Sequence, residues 1–148
     1  MRLYVASSWR NNLQPHVVNV LRVEGHEVYD FRNPAPGNHG FSWASIDEAW
    51  QAWSVEAYAR ALRHPIAQGG FDLDFGAMRW ADGCVLVLPS GRSAHVEFGW
   101  MLGAGKPGVV LMAGRDEPEL MYLLAGAAPI APDLPSLIRW ANTGGSPC

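Results

Sequence analysis

The residues with the clearest potential for chemistry lie around Glu97, shortly after a buried apolar run at residues 83–88. The run has the composition of a central parallel strand, and Ser93 can cap a helix that follows it. Glu97 falls about one turn into that helix, where backbone N–H groups and the helix dipole favour a carboxylate. Such a carboxylate at a ligand crevice can attack a sugar carbon. In the alternative interpretation, a glutamate at this position only complements the helix dipole.

Two further carboxylates, Asp74 and Asp82, precede the central strand. Glycosyl transfer needs one group that attacks the sugar and another that manages the proton on the leaving group or the incoming acceptor. Asp74 can supply the second group, and it can equally cap a short helix over residues 71–80. Asp82 is explained better as a turn residue before the strand.

The elements that must position these carboxylates alternate along the chain. Apolar runs predict strands at residues 3–6, 26–31, 83–88, 107–112 and 128–131, and helical spacing predicts helices between them. This order predicts a single doubly wound α/β domain of Rossmann or flavodoxin type. It has a mostly parallel five-stranded sheet with helices on both faces. The domain is expected over residues 1–141, with a flexible tail over residues 142–148.

Helix boundaries are predicted from local signals. Ser45 and Glu48 form a capping-box pattern, which predicts a helix from Ser45 to about residue 64. Gly69-Gly70 predicts a break, and an acidic first turn predicts a helix over residues 116–124. Asp133 can cap the last helix, and Gly25 can end the first.

Ligands of such sheets bind at the carboxyl ends of the strands, where the strand order reverses. The loops expected there cover residues 7–12, 33–45 and 89–93. Arginine side chains on these loops fit a phosphate group, although solvated surface charges explain them equally well. Trp43 and Trp9 suit stacking on a nucleobase, whereas Trp50 and Trp53 are better explained by core or subunit packing. The candidate substrate contacts are Ser7, Trp9, Arg10, Trp43, Arg92 and Ser93.

The composition of the chain limits the classes of binding partner that we expect. With 148 residues and a net charge of −3, the chain has no basic excess that would hold a nucleic-acid polymer. A small-molecule ligand is therefore expected. Cys84 and Cys148 provide neither a disulfide framework nor a metal site. No signal-peptide pattern or bilayer-spanning apolar stretch is present, so we expect a cytoplasmic protein without a membrane partner.

Three elements, in this order and spacing, resemble the nucleoside 2-deoxyribosyltransferase family and its relatives that hydrolyse deoxynucleoside 5′-monophosphates. The first is a strand carrying Tyr4 before a small-residue loop. The second is an Asp eight residues before Asp82, here Asp74. The third is a small-x-x-Glu-x-Gly element at residues 94–99, followed by Gly105-Lys106-Pro107 and another strand. The resemblance covers residues 2–112.

The resemblance implies that Glu97 attacks the anomeric carbon, forms a covalent deoxyribosyl intermediate and expels the base. It implies that Asp74 handles protons and that Tyr4 orients Glu97. It requires no metal or organic cofactor, and it implies a homo-oligomer in which a neighbouring subunit often completes the site. The last thirty residues give no match for that contribution. The loop at residues 7–10 is more similar to the nucleotide-hydrolysing branch, in which backbone amides and an Arg, here Arg10, hold a 5′-phosphate.

We therefore predict cleavage of the N-glycosidic bond of a 2′-deoxyribonucleoside, with transfer of the sugar to another nucleobase in nucleotide salvage. One alternative is hydrolysis of nucleoside 5′-monophosphates, and another is a nucleotide sensor without turnover. A serine hydrolase is disfavoured because Ser93 and His95 do not face each other on a helix. The first loop also lacks the glycine pattern of a dinucleotide site.

Overall fold

The computed structural model describes residues 1–146. Their internal contacts group them into two compact units. The first unit comprises Met1–Asp30 together with the described residues from Trp80 onward, and the second comprises Phe31–Arg79. Among the described residues, no helix is both long enough and apolar enough to span a bilayer.

The first unit contains a five-stranded sheet in the order β2-β1-β3-β4-β5. All four pairings between neighbouring strands are parallel, which confirms the predicted sheet and the doubly wound α/β class. The central strands are buried along their length, as a parallel sheet covered on both faces requires. The strands are β1 (Arg2–Ala6), β2 (Glu27–Tyr29), β3 (Gly83–Val87), β4 (Gly108–Leu111) and β5 (Ile130–Ala131).

Helices of the first unit cover both faces of this sheet. Helices α1 (Gln14–Val23) and α5 (Leu134–Asn142) contribute side chains to the apolar core on one face. Helix α4 (Arg92–Gly103) covers the other face. A Cβ added to Gly108 would lie 2.7 Å from side-chain atoms of α4, which shows how closely this helix packs on β4. The predicted placement of helices on both faces is confirmed.

The second unit is built from helices and short turns. It contains α2 (Val55–Ala61) and most of α3 (Pro65–Trp80), preceded by 3-10 turns at Trp43–Ser45 and Trp50–Ala52. The predicted helix beginning at Ser45 is wrong: Ser54 is the N-cap of α2 and accepts a hydrogen bond from the Ala57 N–H. The Asp47 carboxylate accepts hydrogen bonds from the Ala49 N–H and from the Trp53 indole, which favours turns before α2.

The predicted break at Gly69-Gly70 is also wrong, because α3 continues through both glycines. Each glycine costs a helix about 1 kcal/mol relative to alanine, and side-chain packing elsewhere on the helix compensates for this cost. The helix predicted over residues 116–124 is replaced by irregular chain and a 3-10 turn at Leu120–Ala125. Pro118 disfavours helical backbone at Glu117, so a helix cannot run through Asp116 and Glu117.

The last helix begins as predicted. The Asp133 carboxylate accepts a hydrogen bond from the Ser136 N–H at 2.8 Å, and α5 continues to Asn142. Asn142, the first residue of the expected tail, is thus the last residue of α5. The final two residues of that tail, including Cys148, lie outside the described range.

Candidate functional site

The strand order reverses at β1 and β3, since β2 lies beyond β1 on one side and β4 lies beyond β3 on the other. The loops that follow these two strands are joined by Asn11, which is 5% exposed. Its side-chain amide donates hydrogen bonds to the Val87 carbonyl at 3.2 Å and to the Pro89 carbonyl at 3.1 Å. The edge at which ligands bind in this architecture is therefore held in a fixed shape.

Ser7 takes part in the same network. Its hydroxyl donates to the Val87 carbonyl at 2.9 Å and accepts from the Asn11 amide at 3.1 Å. The sequence predicted Ser7 as a substrate contact and gave no signal for Asn11. An Asn just before a helical pattern is a common capping residue, and only the pairing of β1 with β3 brings it to the second loop.

The side chains of Tyr4 and Cys84 extend from the same face of the sheet. They are register partners on β1 and β3, and both side chains are fully buried. Cys84 is also paired with Gly108 on β4, where an added Cβ would contact Phe98 of α4. Tyr4 and Cys84 therefore lie on the face that α4 covers.

Glu97 lies on α4 and is half-buried. The pKa of the Cys84 thiol is raised well above its usual range, first by burial and then by the negative charge of Glu97. Glu97 is therefore close enough to Cys84 for its charge to act on the thiol. The thiol remains protonated near neutral pH, so it is not a competing nucleophile at this location.

The N-terminus of α4 differs in detail from the prediction. The helix begins at Arg92 with Gly91 as its N-cap, and no side chain caps it. Ser93 is thus inside the helix, and both Arg92 and Ser93 are exposed. The first turn of α4, in which the helix dipole acts most strongly, contains no acidic residue. Glu97 lies beyond that turn.

His95 connects the start of α4 to the segment that precedes β5. One ring nitrogen, Nδ1, lies 3.0 Å from the Gly91 carbonyl, and Nε2 lies 3.0 Å from the Tyr122 hydroxyl. The two rings are also stacked, with centroids 6.0 Å apart. Burial is the main cause that raises the pKa of Tyr122, which keeps its hydroxyl protonated. Sequence analysis missed Tyr122, because the predicted helix over residues 116–124 carried no signal for this contact.

Trp9 and Arg10 lie in the loop after β1. Trp9 is 49% exposed, and Arg10 is also exposed. The backbone N–H of Arg10 donates to the Ser8 hydroxyl at 3.2 Å, which folds the loop into a turn. Helix α1 begins only at Gln14, so Arg10 is a loop residue rather than part of a helix N-terminus.

Asp82 lies at the opposite end of β3 from these loops. Its carboxylate accepts hydrogen bonds from the backbone and guanidinium of Arg2, and this pairing lowers its pKa to about 2. Lys106 donates to the neighbouring Ala81 carbonyl. These contacts support the interpretation of Asp82 as a turn residue.

In the second unit, Asp74 is half-buried on α3 and lines a cavity of about 290 Å³. The 3-10 turn at Trp43–Ser45 and the preceding loop form other parts of the wall. The lining residues include Phe31, Phe41, Ser42, Ser45, Gly69 and Gly70.

Trp43 packs within the second unit and is not one of the residues that line this cavity. Its ring contacts three other aromatic rings edge-on, with centroid distances of 4.7 Å to Phe41, 5.7 Å to Trp53 and 5.6 Å to Tyr58. Trp50 and Trp53 do not share a helix, because Trp53 follows the 3-10 turn that contains Trp50. Within residues 1–146, no group of three or more His, Cys, Asp or Glu side chains is arranged to hold a metal ion.

Comparison with known proteins establishes the fold. No protein-family model and no curated protein matches this sequence significantly. Among solved structures, a 2-deoxyribosyltransferase from Bacillus psychrosaccharolyticus is similar, with a TM-score of 0.57 and 22% identity. The match covers 100% of this chain and 99% of that one. A CMP N-glycosidase from Clostridium botulinum matches with a TM-score of 0.49 and 15% identity, over 96% and 99% of the two chains.

Proposed function

We propose that this protein cleaves the N-glycosidic bond of a 2′-deoxyribonucleoside and transfers the deoxyribosyl group to a second nucleobase. The observation that carries the proposal is the placement of Glu97 on the helix that covers Tyr4 and Cys84, at the sheet's topological switch. The three residues from which we infer the chemistry are Glu97, Asp74 and Tyr4. The fold shared with a 2-deoxyribosyltransferase supports the architecture that this chemistry requires.

In the first step, a carboxylate oxygen of Glu97 attacks C1′ of the sugar. The bond between C1′ and the base nitrogen breaks, its electron pair leaves with the base, and Asp74 delivers a proton to the base. In the second step, a nitrogen of the incoming base attacks C1′ and its proton passes to Asp74, while the bond between C1′ and the Glu97 oxygen breaks and Glu97 is released as a carboxylate. Two displacements at C1′ retain its configuration. Asp74 is assigned to proton handling and Tyr4 to the orientation of Glu97.

A second candidate, hydrolysis of nucleoside 5′-monophosphates, is favoured by a specific observation in the first unit. Arg10 is exposed in the loop that follows β1, Arg92 is exposed as the first residue of α4, and the N-terminus of α4 has no side-chain cap. Arginine side chains and free helix N–H groups bind phosphate oxygens. In this variant of the reaction, water replaces the second base as the acceptor of the sugar.

A chromatographic assay separates these candidates. The purified protein is mixed with each deoxynucleoside and each deoxynucleoside monophosphate, with and without a second free base. A new nucleoside that forms only with the added base demonstrates transfer. Free base released from a monophosphate without an acceptor demonstrates hydrolysis. No turnover of any substrate, combined with nucleotide binding, contradicts both and indicates a sensor.

The role of Glu97 is tested by mass spectrometry of protein mixed with substrate. We expect a pentose adduct on the peptide that contains Glu97, and no adduct in the Glu97→Ala variant. That variant should lose activity by about a thousandfold or more while it still binds substrate. Glu24→Ala, at an exposed residue just after α1, is the control and should keep full activity. An adduct on another peptide, with turnover intact, removes Glu97 from this role.

A further inference from the structure

The cavity of the second unit is lined by both polar and aromatic side chains. Its volume of about 290 Å³ is near the lower end of the range for small-molecule sites. Gly69 and Gly70 of α3 form part of its wall, and Phe41 and Asp74 also line it. None of the expectations from sequence assigns a function to Phe41 or to the two glycines.

The contact between Phe41 and Gly70 leaves little room for a larger residue. A Cβ placed on Gly70 would lie 3.0 Å from both Cβ and Cδ2 of Phe41, tighter than most real Cβ contacts, so Phe41 would have to shift by a few tenths of an ångström. Movement of the ring alone cannot relieve this overlap, because the Cβ of Phe41 is also involved. A Cβ placed on Gly69, one residue earlier in the same helix, meets nothing within 4 Å. Both glycines weaken α3, and only Gly70 is needed for a close contact.

Neighbouring aromatic rings hold the Phe41 ring in place. Trp43 meets it edge-on, with an interplanar angle of 86°. Trp43 in turn contacts Trp53 and Tyr58, and the Trp53 indole donates to the Asp47 carboxylate. A ring fixed in this way loses little freedom when a flat aromatic ligand binds against it.

Asp74 contributes a carboxyl group to the lining of the same cavity. An ionised carboxylate accepts hydrogen bonds and donates none, so it selects ligand atoms that carry N–H groups. The walls near Ser42 and Ser45 also carry hydroxyl groups, which can donate or accept. A fixed aromatic ring together with a carboxylate acceptor matches the chemistry of a flat nitrogen heterocycle.

We propose that Gly70 sets the width of this cavity by allowing Phe41 to lie against α3, so that the cavity accepts a flat nitrogen heterocycle with an N–H group directed to Asp74. The heterocycle is identified as the nucleobase of the substrate, and this step rests on the proposed function. Gly70 and Phe41 are thus specificity-determining residues.

Isothermal titration calorimetry with free adenine and free cytosine tests the proposed role of Gly70 and Phe41 without requiring turnover. The wild type is compared with the variants Gly70→Ala and Gly76→Ala, both in α3, and thermal unfolding confirms that each is folded. We expect Gly70→Ala to weaken binding of at least one base by about tenfold, because Phe41 must shift from its position against α3. Gly76→Ala should bind within about twofold of the wild type, since Gly76 does not line the cavity and a Cβ placed there meets nothing within 4 Å.

Equal affinities of the two glycine variants, or no binding of either base to the wild type, would overturn the inference. If Gly70→Ala does not fold, Phe41→Leu replaces it, since leucine keeps apolar volume but removes the flat ring. The same tenfold loss is expected for it, and unchanged affinity would overturn the inference. A pentose adduct on Glu97 together with indistinguishable glycine variants would reject this inference alone. Gly70-dependent binding without any adduct would reject the proposed function alone.

Discussion

Tyr4 and Cys84 are register partners on adjacent parallel strands, and their fully buried side chains leave the sheet on the face that α4 covers. The Tyr4 ring also stacks on Tyr29 of β2, with centroids 5.5 Å apart. Three neighbouring strands therefore contribute to one rigid surface. Glu97, whose charge acts on the Cys84 thiol, is carried by the helix above that surface.

This surface leads to a prediction for Tyr4→Phe. The aromatic ring and its stacking on Tyr29 are retained, so the melting temperature should change little. If the hydroxyl orients Glu97, kcat should fall by about tenfold while KM stays within about twofold. Steady-state kinetics and thermal unfolding measure both effects. A variant with normal kcat and reduced stability would show that Tyr4 has a packing role only.

Asn11 should contribute to stability through the two loops that it joins. Asn11→Ala removes the amide that binds the Val87 and Pro89 carbonyls, and it leaves those acceptors without this donor. We expect the free energy of unfolding to fall by about 1–3 kcal/mol in urea titrations. The exposed neighbour Asn12 provides the control, and Asn12→Ala should change stability by less than about 0.5 kcal/mol. Equal effects of the two substitutions would contradict the assignment.

His26 should make stability depend on pH. It is 9% exposed, and burial is the main cause that lowers its pKa below the ordinary value of 6.5. The unfolded chain therefore binds a proton at a higher pH than the folded protein, so stability falls as the pH drops below about 6.5. His26→Gln keeps a side-chain donor for Asn142, the hydrogen-bond partner of His26, but cannot titrate.

Urea titrations at pH 7 and pH 5 test this dependence on His26. The wild type should lose more stability than His26→Gln between the two values. His16→Gln, at an exposed histidine of α1, should behave like the wild type. The same loss in wild type and His26→Gln would mean that other groups cause the dependence.

Arg10 and Arg92 should distinguish phosphorylated from unphosphorylated substrates. If these side chains bind a 5′-phosphate, Arg10→Gln and Arg92→Gln should each raise KM for a deoxynucleoside monophosphate by about tenfold. KM for the corresponding deoxynucleoside should not change. Arg115→Gln, at another exposed arginine of the first unit, is the charge-matched control. An equal increase for both substrates would show that neither arginine reads the phosphate.

The sequence by itself determined the order of the strands along the chain and the class of the fold. The runs around Val5, Val85 and Val110 are short, apolar and β-branched, which suits strands that are buried on both faces. Asp133 predicted the start of α5, because its carboxylate acts within one turn of helix. The position of Glu97 on the helix after the central strand was predictable for a similar reason, since its spacing from that strand is local.

Signals of the same local kind failed where other contacts prevail. Ser45 and Glu48 fit a capping box, but the Asp47 carboxylate stabilises turns, and α2 begins after Ser54. Gly69-Gly70 indicated a break, but the helix continues through them, and Gly70 provides room for Phe41. Propensity is a weak preference, and packing overrides it.

Only the tertiary structure decided which residues meet. The pairing of β1 with β3 brings Tyr4 to Cys84 and Asn11 to the Pro89 carbonyl, across about eighty residues of chain. His95 meets Tyr122 in the same way, through the packing of α4 beside the segment before β5. A sequence pattern reflects interactions between residues that are a few positions apart. Contacts between distant residues depend instead on strand register and on the burial of apolar surface, and no local pattern encodes either of these.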